Sequence, residues 1–204
     1  RKRGDDVAEL GLTGFAAEVF DGPRVELPQM LDAREHRASE QARLIAEVPG
    51  ASSLLCVTMA IPGPVKTSRV LKRVFDHLMA LAISAFGAEQ IVAQSTLGGP
   101  TGTEALLLTT LDARKLKRLM VKLEESDPCG RLVDLDVFDC KANGLRPLTR
   151  TELGFAPRTC LICGGEAKAC ARSRTHSVKE MQEKIASIIQ EGGFEDCGKQ
   201  SDVH

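Results

Sequence analysis

Apolar residues recur along the chain at two spacings, one typical of α-helices and the other of β-strands. The clearest helical spacing follows Pro62-Gly63-Pro64, which interrupts an apolar run. Thr67 is the predicted N-cap of this helix, and Gly87 lies near its predicted end. The pattern therefore predicts one long amphipathic helix, whose apolar stripe consists of Val70, Val74, Leu78, Leu81 and Ala85.

Three further segments have helical periodicity, and each begins with a residue type that caps helices. The predicted capping residues are Asp32, Asp112 and Ser177, and the first and last are followed three residues later by the capping-box acids Glu35 and Glu180. The helix after Asp112 carries lysine and arginine on its predicted outer face. These predicted helices span residues 32–48, 112–125 and 177–192.

Short apolar runs between the helices predict β-strands at residues 53–60, 90–97, 103–110 and 132–139. A turn-rich spacer at residues 98–102 joins the second and third strands as a hairpin. The dipeptide Asn143-Gly144 predicts a turn that returns the last strand to a partner at residues 145–149. Hairpins placed between helices favour an α+β fold, with a mixed or antiparallel sheet flanked by helices.

Composition excludes several classes of protein. With 204 residues, 43% of them hydrophobic, the chain is long enough to bury a core. A net charge of -1 and an aromatic content of 3% argue against a nucleic-acid partner, since such proteins use basic fields and stacking platforms. No apolar run approaches ~20 residues and no signal peptide is visible, which predicts a cytoplasmic protein without a membrane partner. Seven cysteines, an odd number, favour reduced or metal-bound thiols over a disulfide framework.

The most informative motif is the pair Asp134 and Asp136 in the strand at residues 132–139. Residues two apart on a strand share one face, so both carboxylates should point the same way. Two adjacent carboxylates repel each other, and such a pair commonly holds a divalent cation, which predicts Mg²⁺ and phosphate chemistry. The alternative is an edge strand with solvated acids. Arg131, just upstream, adds a fixed positive charge that suits a phosphate oxygen.

A second motif contains Cys160, Cys163, Cys170 and His176. Two cysteines at C-x-x-C spacing, with a third cysteine and a histidine, match the Cys3His ligand set of structural zinc. Unligated thiols are the equal alternative. A catalytic thiol is disfavoured, because Gly164 and Gly165 follow where a redox C-x-x-C motif would begin a helix.

Basic residues form two candidate anion-binding segments. Lys66, Ser68 and Arg69 surround a predicted helix start, where free amides and the helix dipole attract anions. The spacing does not match a P-loop. Arg172 and Arg174 lie in the cysteine-rich segment, where solvated loop charge is the default explanation, but they also suit bidentate contacts with phosphate.

Together these motifs, in their order along residues 27–176, resemble the apo-citrate lyase phosphoribosyl-dephospho-CoA transferase family. The blocks that carry the resemblance are Pro62-Gly63-Pro64-Val65-Lys66-x-Ser68, Phe75-Asp76-His77, Gly130-Arg131-Leu132-x-Asp134-Leu135-Asp136-Val137, Arg158-x-Cys160-Leu161-x-Cys163, Cys170-x-Arg172 and His176.

The resemblance implies transfer of the phosphoribosyl-dephospho-CoA group from triphosphoribosyl-dephospho-CoA to a serine of the citrate lyase acyl carrier protein subunit, with release of pyrophosphate. A related class that serves malonate decarboxylase is nucleotidyltransferase-like and built on an Asp-x-Asp pair, which implies catalytic roles for Asp134 and Asp136. Arg131 is the candidate catalytic residue that would grip a phosphate oxygen beside them. Under this resemblance, a single transferase domain spans residues 27–192 and includes the cysteine-rich segment 158–176. An N-terminal extension (1–26) and a flexible tail (193–204) flank it.

Two other functions compete with this interpretation. A zinc-binding interaction module would need the Cys3His set but not the aspartates, whereas another metal-dependent nucleotidyltransferase would share the aspartates. An acidic acyl carrier protein would need a basic docking surface, and the predicted outer face of the helix at residues 112–125 supplies one. Its basic residues are Arg114, Lys115, Lys117, Arg118 and Lys122.

Overall fold

The structure, a computed structural model, describes residues 11–142 and 144–195. Residues 1–10, Asn143 and residues 196–204 lie outside this description, and with them most of the predicted tail and the first residue of the predicted Asn143-Gly144 turn. The helices in the described part are α1 (Gly14–Val19), α2 (Leu27–Glu47), α3 (Arg69–Phe86), α4 (Ala113–Ser126), α5 (Ala167–Ser173) and α6 (Val178–Glu191). The strands are β1 (Ser53–Met59), β2 (Ile91–Leu97), β3 (Glu104–Thr109) and β4 (Val133–Asp139).

The four strands form one antiparallel sheet in the order β2-β3-β1-β4. β2 and β3 are joined by the predicted hairpin, whereas β1 lies in the centre between β3 and β4. The α+β fold and the antiparallel sheet are therefore confirmed. β2 and β4 are the two edge strands, so the strand that carries Asp134 and Asp136 has one side without a neighbouring strand.

The two faces of the sheet are covered differently. One face packs against α3 and α4 in the larger core, which also receives α6 through Ile185 and Ile189. The other face packs against α2 in a smaller core that contains Leu44, Leu54 and Phe138. Because side chains alternate along a strand, odd-numbered residues of β4 enter the larger core and even-numbered ones face the α2 side.

Two predicted helix starts are wrong. α2 begins five residues before Asp32, because Glu26 and Gln29 form a reciprocal capping box and Pro28 occupies the first turn, where its missing N–H costs nothing. α3 is capped by Ser68 rather than Thr67, since the Ser68 hydroxyl accepts a hydrogen bond from the Leu71 amide. The cap at Asp112 and the Ser177–Glu180 capping box are confirmed.

The predicted outward position of Lys117 is also wrong. Lys117 is only 4% exposed, because α4 has a second inward row beside its apolar stripe. That row contains Lys117, Val121 and Glu124, spaced four and three residues apart and all buried.

The predicted strand at residues 145–149 is reduced to a single bridge. Phe138 pairs with Pro147, and the Leu148 amide donates a hydrogen bond to the Val137 carbonyl. Proline has no N–H to continue a ladder of hydrogen bonds, which explains why the pairing stops there.

None of the helices in the described part of the chain combines the length and hydrophobicity that crossing a bilayer requires.

Candidate active site and candidate metal centre

Asp134 and Asp136 lie on the α2 side of the sheet, near the beginning of β4. Their neighbours on β1 are Thr58 and Cys56, respectively, while Leu135 between them is buried in the larger core. The predicted shared face of the two carboxylates is therefore confirmed. Hydrogen bonds to the neighbouring central strand, β1, fix the backbone of both residues. The two side chains are therefore held next to each other by a rigid part of the sheet.

The surroundings of Asp136 disfavour its charged form. Desolvation by the surrounding groups raises the pKa of Asp136; Lys117 opposes this effect, and the negative charge of Asp134 adds to it. The residue is nevertheless exposed to solvent. A bound cation would stabilise the negative charge of such a carboxylate.

Arg158 occupies part of this site and links it to α4. Its Nη1 donates to Asp134 Oδ1 at 2.7 Å, and its Nη2 lies 2.9 Å from Glu124 Oε1. Glu124 is a carboxylate of α4 with a side chain only 3% exposed, and Arg150 lies 3.8 Å from it. Arg158 therefore neutralises a buried acid and a half-exposed one at the same time, which makes it the electrostatic link between helix and strand.

The outward carbonyl groups of the edge strand β4 accept hydrogen bonds from two side chains and from one loop amide. Arg158 Nη2 donates to the Val133 carbonyl at 2.6 Å, and Lys117 Nζ donates to the Leu135 carbonyl at 2.7 Å. The Leu148 amide reaches the next outward carbonyl, that of Val137, at 2.8 Å. Burial lowers the pKa of Lys117, whereas Glu124 and Asp136 oppose that effect. Lys117 thus holds the backbone of the aspartate strand instead of facing a partner.

Arg131 contacts the cysteine-rich segment, not the aspartates. Its guanidinium donates to the carbonyl oxygen and, at 3.4 Å, to the hydroxyl of Thr159, the residue before Cys160. Its buried Nε has no hydrogen-bond partner. Arg131 and Arg158 therefore both attach the beginning of the cysteine-rich segment to the region around Asp134.

The structure brings the four predicted Cys3His residues together. One candidate ligand atom from each of Cys160, Cys163, Cys170 and His176 lies within 4.8 Å of the other three, and no other group of three or more His, Cys, Asp or Glu ligands is found among the described residues. The Sγ atoms of Cys163 and Cys170 are 3.5 Å apart. Thiolates and imidazole at such separations fit one tetrahedral ion with Zn–S bonds of ~2.3 Å.

Backbone bonds shape this cluster. The Cys160 amide donates to the Gly165 carbonyl at 2.6 Å, and the Gly164 amide donates back to the Cys160 carbonyl at 3.1 Å, which closes a tight turn around the C-x-x-C motif. Gly164 has a φ of 72°, a conformation that glycine adopts without strain. The two glycines that argued against a redox motif therefore have a geometric role here.

The cluster already favours a thiolate. The Gly165 amide, followed by His176 and Cys170, lowers the pKa of Cys163 to about 6, whereas the pKa of Cys170 rises to about 11, chiefly because of Cys163. The thiolate is the form that binds metal. His176 Nε2 is buried without a hydrogen-bond partner, so this nitrogen is available as a ligand.

The residues predicted to bind phosphate at the start of α3 have local partners. Lys66 Nζ donates to the Ile61 carbonyl at 2.6 Å, and burial lowers the pKa of Lys66. The buried Ser68 hydroxyl donates to the Val19 carbonyl at 2.6 Å in addition to capping the helix. Arg69 is exposed, as are Arg172 on α5 and Arg174 at its end. Their roles in phosphate binding stay predictions.

The predicted basic docking face of α4 is smaller than the sequence implied. Lys117 points inward, Arg114 donates to the Glu152 carbonyl, and Arg118 donates to the Leu153 carbonyl. Lys115 and Lys122 are exposed on this face, and so are Arg114 and Arg118 despite their hydrogen bonds, so that Lys117 is the one predicted basic residue that the face loses.

Sequence analysis did not identify Glu124 or the pairing of Arg158. A signal for the first was present, because Glu124 follows Lys117 by seven residues and therefore lies on the same side of α4. No spacing rule could have found Arg158, since 24 residues separate it from Asp134.

Comparison with known proteins gives matches over most of the chain. The sequence model of the family described as apo-citrate lyase phosphoribosyl-dephospho-CoA transferase matches residues 25–192. A probable apo-citrate lyase phosphoribosyl-dephospho-CoA transferase of Streptococcus pyogenes is 45% identical over 170 residues, which cover 83% of this chain and 88% of that protein.

Two further relatives differ in length. The apo-citrate lyase phosphoribosyl-dephospho-CoA transferase of Escherichia coli is 33% identical over 174 residues, covering 84% of this chain and 92% of that protein. Protein CitXG of Haemophilus influenzae is 41% identical over 189 residues, which are 91% of this chain but 40% of that protein. This chain therefore matches most of the length of two of these relatives and less than half of the longer one.

Proposed function

Because the chain belongs to the apo-citrate lyase phosphoribosyl-dephospho-CoA transferase family and transfers that group to apo-citrate lyase, we propose that the reaction takes place at Asp134 and Asp136. The observation that carries this proposal is the shared face of the two carboxylates on β4. Neither the zinc-binding interaction module nor a nucleotidyltransferase acting on nucleic acid is favoured by the matches.

The acceptor in this proposal is a serine of the acyl carrier protein subunit, and the donor is triphosphoribosyl-dephospho-CoA. The serine oxygen forms a bond to the α-phosphorus, and the bond between that phosphorus and the pyrophosphate oxygen breaks. The hydroxyl proton leaves to a base, and pyrophosphate carries away the bonding electron pair. The reaction is thus a nucleotidyltransferase-type phosphoryl transfer, in which positioning and charge neutralisation supply most of the catalysis.

The donor set at the aspartates fits Mg²⁺, which prefers carboxylate oxygens and completes its coordination with phosphate oxygens and water. Asp134 and Asp136 would hold the ion, and its charge would stabilise the pyrophosphate that departs. The raised pKa of Asp136 supports this assignment, because a bound cation offsets both the desolvation of this carboxylate and the repulsion from Asp134. Arg158 keeps Asp134 oriented through its bond to Oδ1.

The residues predicted to bind phosphate are kept as candidates. Arg131 is the candidate nearest to the aspartates in sequence, and its guanidinium would exchange its bond to the Thr159 carbonyl for a phosphate oxygen. The others are the exposed Arg69, Arg172 and Arg174, together with Lys66 and Ser68, which have partners within the protein.

The Cys3His group is proposed to hold a structural zinc. Four protein ligands leave no open coordination position, which is typical of structural and not catalytic sites. Arg158 and Thr159 precede Cys160 directly, and they bond to Asp134 and Arg131, respectively. An ordered zinc site would therefore fix the arginine that orients Asp134. The six described cysteines are free thiols, which supports a cytoplasmic location.

The decisive experiment is mass spectrometry of the citrate lyase acyl carrier protein subunit after incubation with this protein, triphosphoribosyl-dephospho-CoA and Mg²⁺. We expect one serine to gain the mass of the phosphoribosyl-dephospho-CoA group and one pyrophosphate to appear for each group transferred. In the wild-type protein, removal of Mg²⁺ with a chelator should stop both the transfer to serine and the release of pyrophosphate. Transfer that continues at an unchanged rate without divalent cations would overturn the assignment of the aspartates.

A further inference from the structure

A cavity of about 310 Å³ lies between the first turns of α2 and the loop that joins β2 to β3. Asp32, Ala33 and His36 line it from the helix, and Glu104 lines it from β3. The loop contributes Gly98, Pro100, Thr101 and Gly102. Glu104 lies on the α2 side of the sheet, the same side as Asp134 and Asp136. The cavity is therefore next to the proposed reaction site and outside the residues assigned to it above.

Glu104 has a carboxylate oxygen that the protein does not satisfy. Its Oε1 accepts a hydrogen bond from Arg37 at 2.8 Å, and its side chain is 10% exposed. Its Oε2 is buried without a hydrogen-bond partner. A buried, unpaired acceptor is costly, and native proteins seldom retain one without a function. Burial raises the pKa of Glu104, and Arg37 holds the charge in place against that effect.

The sheet places Glu104 in line with Asp134. Val57 of β1 pairs with Ala105, so continuing this register sets Glu104 opposite Thr58, and Thr58 pairs with Asp134 on the far side. Two strand spacings separate the acids, which corresponds to about 10 Å. That separation is comparable with the span of the ribosyl group that joins the triphosphate of the donor to its nucleoside. A donor whose reacting phosphate lies at the aspartates would therefore place its nucleoside near Glu104.

The lining of the cavity selects the kind of group that enters. Asp32 and Glu104 repel phosphate, whereas both accept hydrogen bonds from hydroxyl or amino groups. The space beside Gly98 is open to a ligand, since a Cβ added there would meet no atom within 4 Å. Gly102 has a φ of 107°, a conformation that side chains rarely permit, so the loop keeps its shape only with glycine there.

We propose that this cavity binds the nucleoside portion of the donor, with Glu104 Oε2 accepting a hydrogen bond from a ribose hydroxyl or a base amino group. This inference rests on the proposed function, because that function puts the phosphates at Asp134 and Asp136. It assigns the cavity to recognition of the donor, and the aspartates to chemistry.

Direct binding of 3′-dephospho-CoA by isothermal titration calorimetry tests the subsite without turnover. Glu104→Gln keeps an oxygen for Arg37 but turns an N–H₂ group toward the ligand, so affinity should fall about tenfold, as expected for loss of a hydrogen bond to a charged group. Ala33→Leu should lower affinity by a similar factor by filling the cavity from a helix position that tolerates leucine.

Arg37→Lys is the matched control. It alters the bond to Oε1 but keeps a positive charge beside the Glu104 carboxylate, so affinity for 3′-dephospho-CoA should change by less than about twofold. If Glu104 only fastens α2 to the sheet, Arg37→Lys and Glu104→Gln will weaken binding together, and Ala33→Leu will have no effect. Either of these results would overturn the subsite.

Pyrophosphate with Mg²⁺, used as a second ligand, separates this inference from the proposed function. Glu104→Gln should bind it like the wild type, whereas Asp134→Asn should lose it and retain 3′-dephospho-CoA. If Asp134→Asn binds pyrophosphate normally while Glu104→Gln loses 3′-dephospho-CoA, the aspartate assignment fails and the nucleoside subsite stands.

Discussion

The two candidate metal centres of this molecule differ in how many ligands the protein itself supplies. The Cys3His group offers four ligand atoms from loops and a short helix, all within 4.8 Å of one another. The aspartate pair offers two carboxylates from a rigid strand, and an arginine already bonds one of them. A complete set of protein ligands suits a permanent structural ion, whereas an incomplete one leaves positions for substrate and water.

The site with fewer protein ligands is the more rigid of the two. Asp134 and Asp136 take their positions from a paired strand before any ion is present, whereas Cys163 and Cys170 lie in short segments held by few long-range contacts. We therefore expect the zinc to order its own ligands and, through Arg158, part of the aspartate site. The dependence should run in one direction only, from the zinc site to the catalytic site.

The largest expected effect separates the two centres. Asp136→Asn removes a proposed Mg²⁺ ligand and should lower the rate of transfer to the acyl carrier protein subunit about 10³-fold, the scale seen when a charge-stabilising group is lost. Bound zinc, measured by inductively coupled plasma mass spectrometry, should stay the same as in the wild type. A parallel loss of zinc would show that the centres are not independent in this direction.

Cys163→Ser tests the other direction. Zinc content should fall sharply, and transfer should slow about tenfold because the segment that carries Arg158 loses its anchor. The concentration of Mg²⁺ needed for half-maximal rate should change little. Cys140→Ser, a partly exposed cysteine outside the cluster, is the control and should leave zinc and rate unaltered. Full activity in a zinc-free Cys163→Ser protein would remove the proposed link.

Arg158→Gln breaks the link itself. The substitution leaves Glu124 buried with only Arg150 nearby, so the free energy of unfolding should fall by about 2 kcal/mol in urea denaturation. Arg43→Gln is the comparison, because Arg43 forms only exposed ion pairs on α2 and should cost less than about 1 kcal/mol. Equal losses in the two variants would mean that Arg158 is an ordinary surface charge.

Asp136 also predicts a dependence of stability on pH in the metal-free protein. Its pKa is raised by folding, so the folded state binds this proton more tightly, and the associated stability is lost as pH rises through the folded pKa. The Asp136→Asn variant does not lose stability in this way as pH rises. At neutral pH its free energy of unfolding should exceed that of the wild type by no more than about 1 kcal/mol, because the side chain is solvated. Below about pH 4 the two proteins should be equally stable. An advantage that grows on acidification would have the wrong sign.

The smallest expected effect concerns the docking surface, whose Lys115 and Lys122 belong to neither candidate metal centre. Replacing Lys115 and Lys122 with glutamate should slow transfer about threefold at low salt, because opposite charges speed the encounter of two proteins. The difference in rate between variant and wild type should disappear at ~0.5 M salt, where the charges are screened. Lys168→Glu with Lys179→Glu is the control for net charge. Identical slowing by both pairs would leave α4 without a specific role.

The sequence was sufficient for features that depend on local rules. The period-two spacing placed Asp134 and Asp136 on one face, and the C-x-x-C motif with Cys170 and His176 identified a cluster that the fold assembles. The glycine-rich spacer at residues 98–102 indicated a hairpin, which is present.

Features set by long-range packing were not predictable in this way. Lys117 turns inward because an edge carbonyl and two acids offer it partners that only the folded sheet brings near. Ser68 serves as a cap because its hydroxyl also reaches Val19, 49 residues away. Glu104 resembled any strand glutamate until α2 and the loop enclosed it. In each case a tertiary partner overrides the local pattern.

The bonding along the outer side of β4 has a consequence for assembly. Carbonyl groups at a free sheet edge can template pairing with another chain, but those of Val133, Leu135 and Val137 are already engaged by Arg158, Lys117 and Leu148. An extended peptide or a second copy cannot add a strand there without displacing them. Strand addition to this sheet is therefore directed to β2, and the acyl carrier subunit must approach the aspartates through side-chain surfaces rather than backbone pairing.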